Sequence, residues 1–235
     1  MSELIPAIAK TSKYLTEDFL GGPKILKFSW VINFQKGATL FWVLGLMYYF
    51  QNFSAQAWVY LGLHGSYGLC WLLKDHVFPD GKWEVPITFG GAFVSVATVL
   101  GPYWLIPFVL ISPILGDAHT GANWAWMTIA IFIHTLGVAI MMTADAQKFF
   151  TLKYKRGLIT TGIFHSIRHP NYLGEMMIYG AYAIVTWHWI PWLILAWVWV
   201  GLFAVNMAMK ERSMSRYPEW ADYKQRSSYL IPGIF

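Results

Sequence analysis

The feature that most restricts this chain is a succession of apolar runs, each near the length needed to cross a bilayer, separated by short polar turns. A span needs about 20 mostly apolar residues, and inside lipid every backbone N–H and C=O must be paired within the protein. Helices meet that demand one segment at a time. Of the 235 residues, 57% are hydrophobic and 18% aromatic against 12% charged, and the mean hydropathy is +0.44. These proportions exclude a soluble globular domain. They predict an all-α fold, a polytopic transmembrane helical bundle of about six to seven spans.

The runs divide the chain. Residues 1–35 mix Lys10, Lys13, Lys24 and Lys27 with Glu3, Glu17 and Asp18, and they lack the basic start and apolar core of a signal peptide. They read as an N-terminal cytoplasmic or interfacial segment, with residues 28–34 lying in the membrane interface. Residues 36–235 form a single transmembrane domain. Its first span runs over residues 37–50 and its second over residues 57–73. In the second, His64, Tyr67 and Trp71 share a stripe that must face the bundle. Residues 86–115 are apolar but interrupted by Gly90-Gly91, Gly101-Pro102, Pro107 and Pro113. Such breaks are tolerated where backbone is packed in protein or lines a cavity, so this stretch is either a broken helix beside a site or a set of packed helix ends. A short loop, residues 116–123, leads to a span over residues 124–143 that carries His134, more simply a buried core histidine than a catalyst. Two last runs, residues 172–186 and 190–209, are joined by Trp187-His188-Trp189, a link too short for anything but a helical hairpin.

Charge sets the orientation. Residues 145–170 and 210–235 hold five basic residues each, ten of the 17 Lys and Arg in the chain. The positive-inside rule puts both segments and the C-terminus in the cytoplasm of a multi-pass protein of a bacterial inner membrane or the endoplasmic reticulum. The cations flank spans rather than tile a soluble face, so their partners are membrane lipids and a phosphorylated cofactor, not nucleic acid. Cys70 stands alone and forms no intrachain disulfide. No metal-ligand spacing, dinucleotide-fold glycine motif or nucleophile elbow occurs, and no metal is expected.

The chemistry concentrates in Arg168-His169-Pro170-Asn171-Tyr172-Leu173-Gly174-Glu175, at the mouth of an apolar run. Pro170 suits the first turn of a helix, and Asn171, Glu175 and Tyr179 then fall on one face. Arginine forks and lysine point charges bind phosphate, while asparagine, tyrosine and glutamate hold amide and ribose groups. A plain alternative is a basic clamp on lipid headgroups.

Together with Gly162-Ile163-Phe164, Glu211, Tyr217, Trp220, Tyr223 and the closing Leu230-Ile231-Pro232-Gly233-Ile234-Phe235, this stretch resembles the C-terminal region shared by sterol reductases, steroid 5-alpha-reductases and isoprenylcysteine carboxyl methyltransferases. The resemblance covers residues 157–235 and hardly touches the first half. Asparagine after the proline, the closing residues and Asp145-Ala146-Gln147-Lys148-Phe149-Phe150 are similar to the reductase versions. The resemblance implies a cofactor-binding region over residues 145–235 and NADPH bound from the cytoplasmic side. It implies hydride transfer to a carbon–carbon double bond of a steroid-like, sterol-like or other lipophilic substrate drawn from the bilayer. Asn171 and Glu175 would hold the nicotinamide end or its ribose. Lys148, Lys153, Arg156, Arg168, Arg212 and Arg216 would meet the phosphates, and Asp145, His169, Tyr172 and Tyr223 would complete the cofactor site. In steroid reductases a tyrosine on an early span, partnered by a glutamate, polarises the substrate. Tyr67 or His64 is the counterpart here, and Gln35 and Gln51 are the polar candidates near the first span in place of that glutamate. The alternatives are a membrane methyltransferase using S-adenosylmethionine at the same hairpin, and a lipid-binding protein without turnover.

Overall fold

The computed structural model of the protein describes residues 4–115 and 123–233. Among them the chain is almost entirely helical. Helix α1 (Leu4–Glu17) has no buried residue and packs against α4 (Phe89–Ser95). There Gly90 and Gly91 let the helix approach the carbonyls of Phe19 and Thr16, where a Cβ would fall 2.2 and 2.0 Å from those oxygens. Strands β1 (Leu26–Lys27) and β2 (Pro86–Ile87) form a short antiparallel ladder. That ladder lifts the chain directly into α2 (Phe28–Tyr49), whose first amides donate to Val85 O at 3.0 Å and Trp83 O at 2.7 Å. First-turn N–H groups lack partners within a helix, and this loop supplies them. Residues 28–34, expected to lie in the interface, are thus the opening turns of α2, and the helix starts well before residue 37.

Ser54 caps α3 (Ala55–Val77) by accepting from Ala57 N at 3.3 Å. The punctuated stretch forms α4, a π-helical turn (Val96–Leu100) and α5 (Pro102–Ile111), bent by 42° at Gly101-Pro102. This is the broken helix the glycines and prolines predict. Helix α6 (Trp124–Tyr154) runs on past residue 143 for three further turns and carries Asp145 and Lys148. Helix α7 (Pro170–Thr186) starts on its proline and stops at Trp187, which is left-handed with φ 51°. His188 caps α8 (Trp189–Val198) by accepting from Ile190 N at 3.1 Å, and the expected hairpin results. A π-helical turn (Trp199–Ala204) continues α8 into α9 (Val205–Met214), and α10 (Trp220–Arg226) follows.

Among the described residues two helices, Trp124–Tyr154 and Trp189–Met214, are long and apolar enough to cross a membrane, or three if the bent pair is one span. The other long helices do not meet the same measure. Helix α7 has 17 residues, while α2 carries Asn33, Gln35 and Lys36 and α3 carries His64, Lys74 and Asp75. The expected loop at residues 116–123 lies, Asn123 apart, outside the described residues.

The closest helix packing joins α6 to α7. A Cβ on Gly174 would sit 2.6 Å from Gly137 O and 2.7 Å from Met141 N, so the two backbones touch. Small residues at such a contact are what lets helices meet in lipid. Gly174→Ala is expected to destabilise the detergent-purified protein by about 1–3 kcal/mol through overpacking. Gly62→Ala, where a Cβ meets nothing within 4 Å, should leave the melting temperature unchanged. Equal melting of the two variants would refute the close contact.

Candidate active site

Four helices converge on Lys36. Its side chain rises from α2 into the bundle, where the residue is 5% exposed, and it donates to the hydroxyls of Tyr179 and, at 3.5 Å, Tyr67. Its Nζ lies 4.6 Å from the ring centre of Tyr67, 5.0 Å from Trp71, 5.8 Å from Tyr103 and 4.9 Å from Tyr179. Aromatic faces attract a cation at these distances. Tyr67 in turn donates to Glu175 Oε1 at 2.8 Å. The tyrosine expected to act on substrate and a carboxylate of the α7 motif, 108 residues apart in sequence, are therefore hydrogen-bonded. Tyr103 of α5 stacks on Tyr179 at 4.0 Å.

His64 stands one turn before Tyr67 on α3. Its Nδ1 pairs with Tyr60 Oη at 2.9 Å, its ring stacks on Tyr182 at 4.3 Å, and its Nε2 has no partner among the described residues. Tyr182 reaches His134 Nε2 at 3.3 Å, which makes His134 the hydrogen-bonded core histidine expected. Gln35, which precedes Lys36 on α2, is buried with neither amide atom partnered among the described residues.

The cofactor candidates separate into three groups. Asp145 pairs with the buried Lys74 at 3.1 Å, and Lys148 with Asp80 at 2.9 Å, at the edge of the site. Tyr172 packs on Phe203, and Lys210 Nζ lies 4.5 Å over its ring. Asn171, on the same face of α7 as Glu175, is half-buried and makes no side-chain hydrogen bond among the described residues.

Arg168, His169 and Tyr223 form a second group, which ties the tail to the entrance of α7. Arg168 Nε donates to Glu211 Oε1 at 2.9 Å, and its Nη1 donates to the carbonyls of Lys224, at 3.2 Å, and Ser227. His169 Nε2 shares the same Glu211 oxygen at 3.1 Å, and Tyr223 donates to Phe164 O at 2.6 Å. Burial pushes the His169 imidazole down from its ordinary value against the pull of Glu211, and pushes the Tyr223 phenol up to about 12. Arg168 Nε and Nη1, His169 Nε2 and the Tyr223 hydroxyl are thus engaged within the protein. Lys153, Arg156, Arg212 and Arg216 form the third group and are exposed.

Sequence reasoning passed over Lys36. Reading the first span from residue 37 left the lysine at the water edge, whereas α2 begins at Phe28 and buries it. The signal was available: no proline or turn residue separates the apolar residues 28–34 from the span.

Residues 81–227 match the DUF1295 family, described as protein of unknown function. The chain belongs to this family. The DUF1295 chain is 25% identical over 191 residues to an uncharacterised protein of Schizosaccharomyces pombe, covering 70% of this chain and 54% of that one. It is 37% identical over 49 residues to a second uncharacterised protein of the same yeast, covering 21% and 18%. It is also 26% identical over 167 residues to an Arabidopsis thaliana steroid 5-alpha-reductase, covering 67% and 60%. The chain thus spans less than two thirds of each of these relatives.

The Asp80–Lys148 pair carries a pH signature. Burial alone would raise the Asp80 carboxyl, but the Lys148 ammonium and the Lys82 N–H outweigh it and hold it at about 2, below its ordinary 3.8. A carboxyl depressed by folding stabilises the protein fully above its unfolded value, and that stability disappears as pH falls through the folded one. The melting temperature of Asp80→Asn should therefore lie below the native one near pH 5, with the gap closing as pH falls from about 4 to about 2. A constant gap over that range would contradict the pairing.

Proposed function

We propose that this protein is a membrane reductase that uses NADPH to reduce a carbon–carbon double bond of a lipophilic, steroid- or sterol-like substrate entering from the bilayer. The observation that carries the reading is the Tyr67 hydroxyl, held between the Lys36 ammonium and the Glu175 carboxylate inside the bundle. A phenol fixed among charged groups and away from water is a placed proton donor. The kinship with a steroid 5-alpha-reductase supports the same class of reaction.

The residues present suit a phosphorylated nicotinamide cofactor. Lys82, Lys148 and Lys210 lie within electrostatic range of one another. Asp80 and Asp145 offset part of that charge, and a phosphate would offset more. Asn171 offers an amide without a partner among the described residues, one turn from Glu175. In this reading Asn171 and Glu175 hold the nicotinamide end, and Lys148 and Lys210 meet phosphate. Asp145 and Tyr172 line the wall, and the exposed Lys153, Arg156, Arg212 and Arg216 add positive charge at the cytoplasmic mouth. Arg168, His169 and Tyr223 keep the frame of that mouth in place. The cofactor, when bound, supplies the hydride. Tyr67 supplies a proton to the substrate, and the aromatic walls exclude water from the exchange. Helices α2, α3 and α7 serve as further spans with their polar faces turned to this centre, which brings the number to six.

Melting of the detergent-purified protein in the presence of NADPH, NADH, S-adenosylmethionine and S-adenosylhomocysteine distinguishes this reading from the methyltransferase one, since a ligand that binds only the folded state raises the midpoint. NADPH is expected to raise it and the methyl donor to leave it unchanged. A shift with S-adenosylmethionine in place of NADPH would overturn the assignment. Asn171→Ala should abolish the NADPH shift at an unaltered ligand-free midpoint.

Tyr67→Phe should retain the NADPH shift and lower the turnover of a steroid enone by a factor of about 10²–10⁴, the usual contribution of a placed acid. An unchanged rate would return Tyr67 to a packing role.

A further inference from the structure

Helix α1 takes no part in the site, and its surface divides into three stripes. At 14 residues it is too short to cross a bilayer, and none of its residues is buried. Successive residues on a helix are turned by about 100°, so each run of three visits three faces. Ile8-Ala9-Lys10, Thr11-Ser12-Lys13 and Leu15-Thr16-Glu17 do so in one order. The middle members, Ala9, Ser12 and Thr16, are small and half-buried, as is Ile5 on the same stripe, and this is the face that packs on α4 and α9. The last members carry charge, and Lys10 and Lys13 are exposed. The first members, together with Leu4, are apolar apart from Thr11, and Leu4 is 61% and Ile8 39% exposed. Tyr14, 53% exposed, borders that stripe.

The roll of the helix is fixed by the protein. Its end is held by the first turn of α4, where Thr88 N donates to Glu17 O at 3.2 Å and Thr88 Oγ1 to Phe19 O at 2.8 Å. Gly91 lets Thr16 O come against the same turn. The apolar stripe therefore stays outward. Helix α4 is the first part of the bent span, and it exposes Phe89 and Phe93 one turn apart. Leu20 and Ile25, in the link that follows α1, are exposed as well. The stripe is thus seated at the edge of a surface suited to hydrocarbon.

We infer that α1 lies along the membrane surface with Leu4, Ile8, Tyr14 and Leu15 sunk into the boundary between headgroups and acyl chains, and with Lys10 and Lys13 turned to water. An amphipathic helix in the interface plane buries its apolar face by about 5–10 Å. The lysines stand on the stripe away from the bilayer, and the acids near them take up part of the charge: Glu17 lies 4.0 Å from Lys13, and Asp18 lies 2.6 Å from Lys24. Burial of apolar surface and not headgroup charge accordingly holds the helix, and lipids without net charge suffice. Because α1 packs on both α4 and α9, the membrane surface sets the depth of the start of the bent span and of the end of the last one together. The interfacial place expected of residues 28–34 falls to α1 instead. The inference needs the membrane and not the reductase reading.

The test places a polarity-sensitive nitrobenzoxadiazole label at Ile8→Cys or at Lys13→Cys in the full chain, with Cys70→Ala removing the native thiol, in phosphatidylcholine nanodiscs that hold one copy each. At position 8 the emission is expected to shift to the blue, to lose most of its intensity to a nitroxide carried near the top of the acyl chain, and to resist aqueous iodide. At position 13 the two quenchers should act in reverse. Adding phosphatidylglycerol should leave both results unchanged. Equal quenching by iodide at the two positions overturns the inference, and so does a lipid contact at position 8 that appears only with the anionic lipid. If a second copy of the chain is what covers the stripe, position 8 is open to iodide in one-copy discs and protected in crowded vesicles, and the inference falls. Each variant should melt with the Cys70→Ala protein; one that melts lower is replaced by Leu4→Cys or Lys10→Cys, which sit on the same two stripes and must give the same result.

Discussion

A cation inside an apolar bundle dictates which side chains can surround it, and in this protein four helices are arranged around Lys36. Taking an ammonium out of water costs several kcal/mol unless acceptors and charge compensate it. Helix α3 contributes Tyr67 and Trp71, α5 contributes Tyr103, and α7 contributes Tyr179 and, through Tyr67, Glu175. Glu175 and Tyr179 are one turn apart, so sliding α7 along its axis would remove both partners together. The height of α7 is fixed by its neighbour. Gly174, adjacent to Glu175, lies against Gly137 of α6 with no room for a Cβ, and the carboxylate is therefore set by a backbone contact on the opposite side of its helix.

The entrance to α7 is held just as firmly from outside. Arg168 and His169 converge on one oxygen of Glu211, and Arg168 also takes the carbonyls of Lys224 and Ser227. A backbone bridge between Ile167 and Ser228 runs alongside. The guanidinium fork joins three chain segments at one point, something a lysine could not do with the same geometry. Asn171 then leaves the first turn of a helix whose start cannot shift, and its free amide has a defined position. The basic stretch before α7 thus divides its work: Arg168 is spent on the frame, while Lys153 and Arg156 remain in solvent.

Much of the fold was legible because its signals are local. Gly101-Pro102 breaks a helix wherever it falls, Pro170 opens one, and a three-residue link between apolar runs makes a hairpin. The stripe of His64 and Tyr67 was legible for a similar reason, since polar groups on a buried helix must face protein. What was not legible depends on partners distant in sequence. Helix α6 was read as a span ending near residue 143, but Lys74 and Asp80 neutralise Asp145 and Lys148 from distant segments and the helix continues. Lys36 looked like a marker of the membrane edge for the same reason. No pattern along the chain announces that Tyr67 and Tyr179 will meet it. The carboxylate that partners Tyr67 comes from α7 and not from the first span, a pairing that no local pattern announces.

The family match divides the site between two parts of the chain. The family match spans residues 81–227 and so includes Tyr103, Asp145, Asn171, Glu175, Tyr179 and Glu211. Lys36, His64 and Tyr67 lie before it. The polar groups of α7 thus sit within the matched region, and those of α2 and α3 sit on the preceding helices. Glu175 joins the two, since it is one turn from Asn171 and bonded to Tyr67. A lysine on α2 brings positive charge to the meeting point, and a carboxylate there would bring negative charge to the same tyrosine and the same glutamate. Like charges at that spacing repel, so the residue at position 36 decides whether Tyr67 and Glu175 face a partner that compensates the carboxylate or one that opposes it.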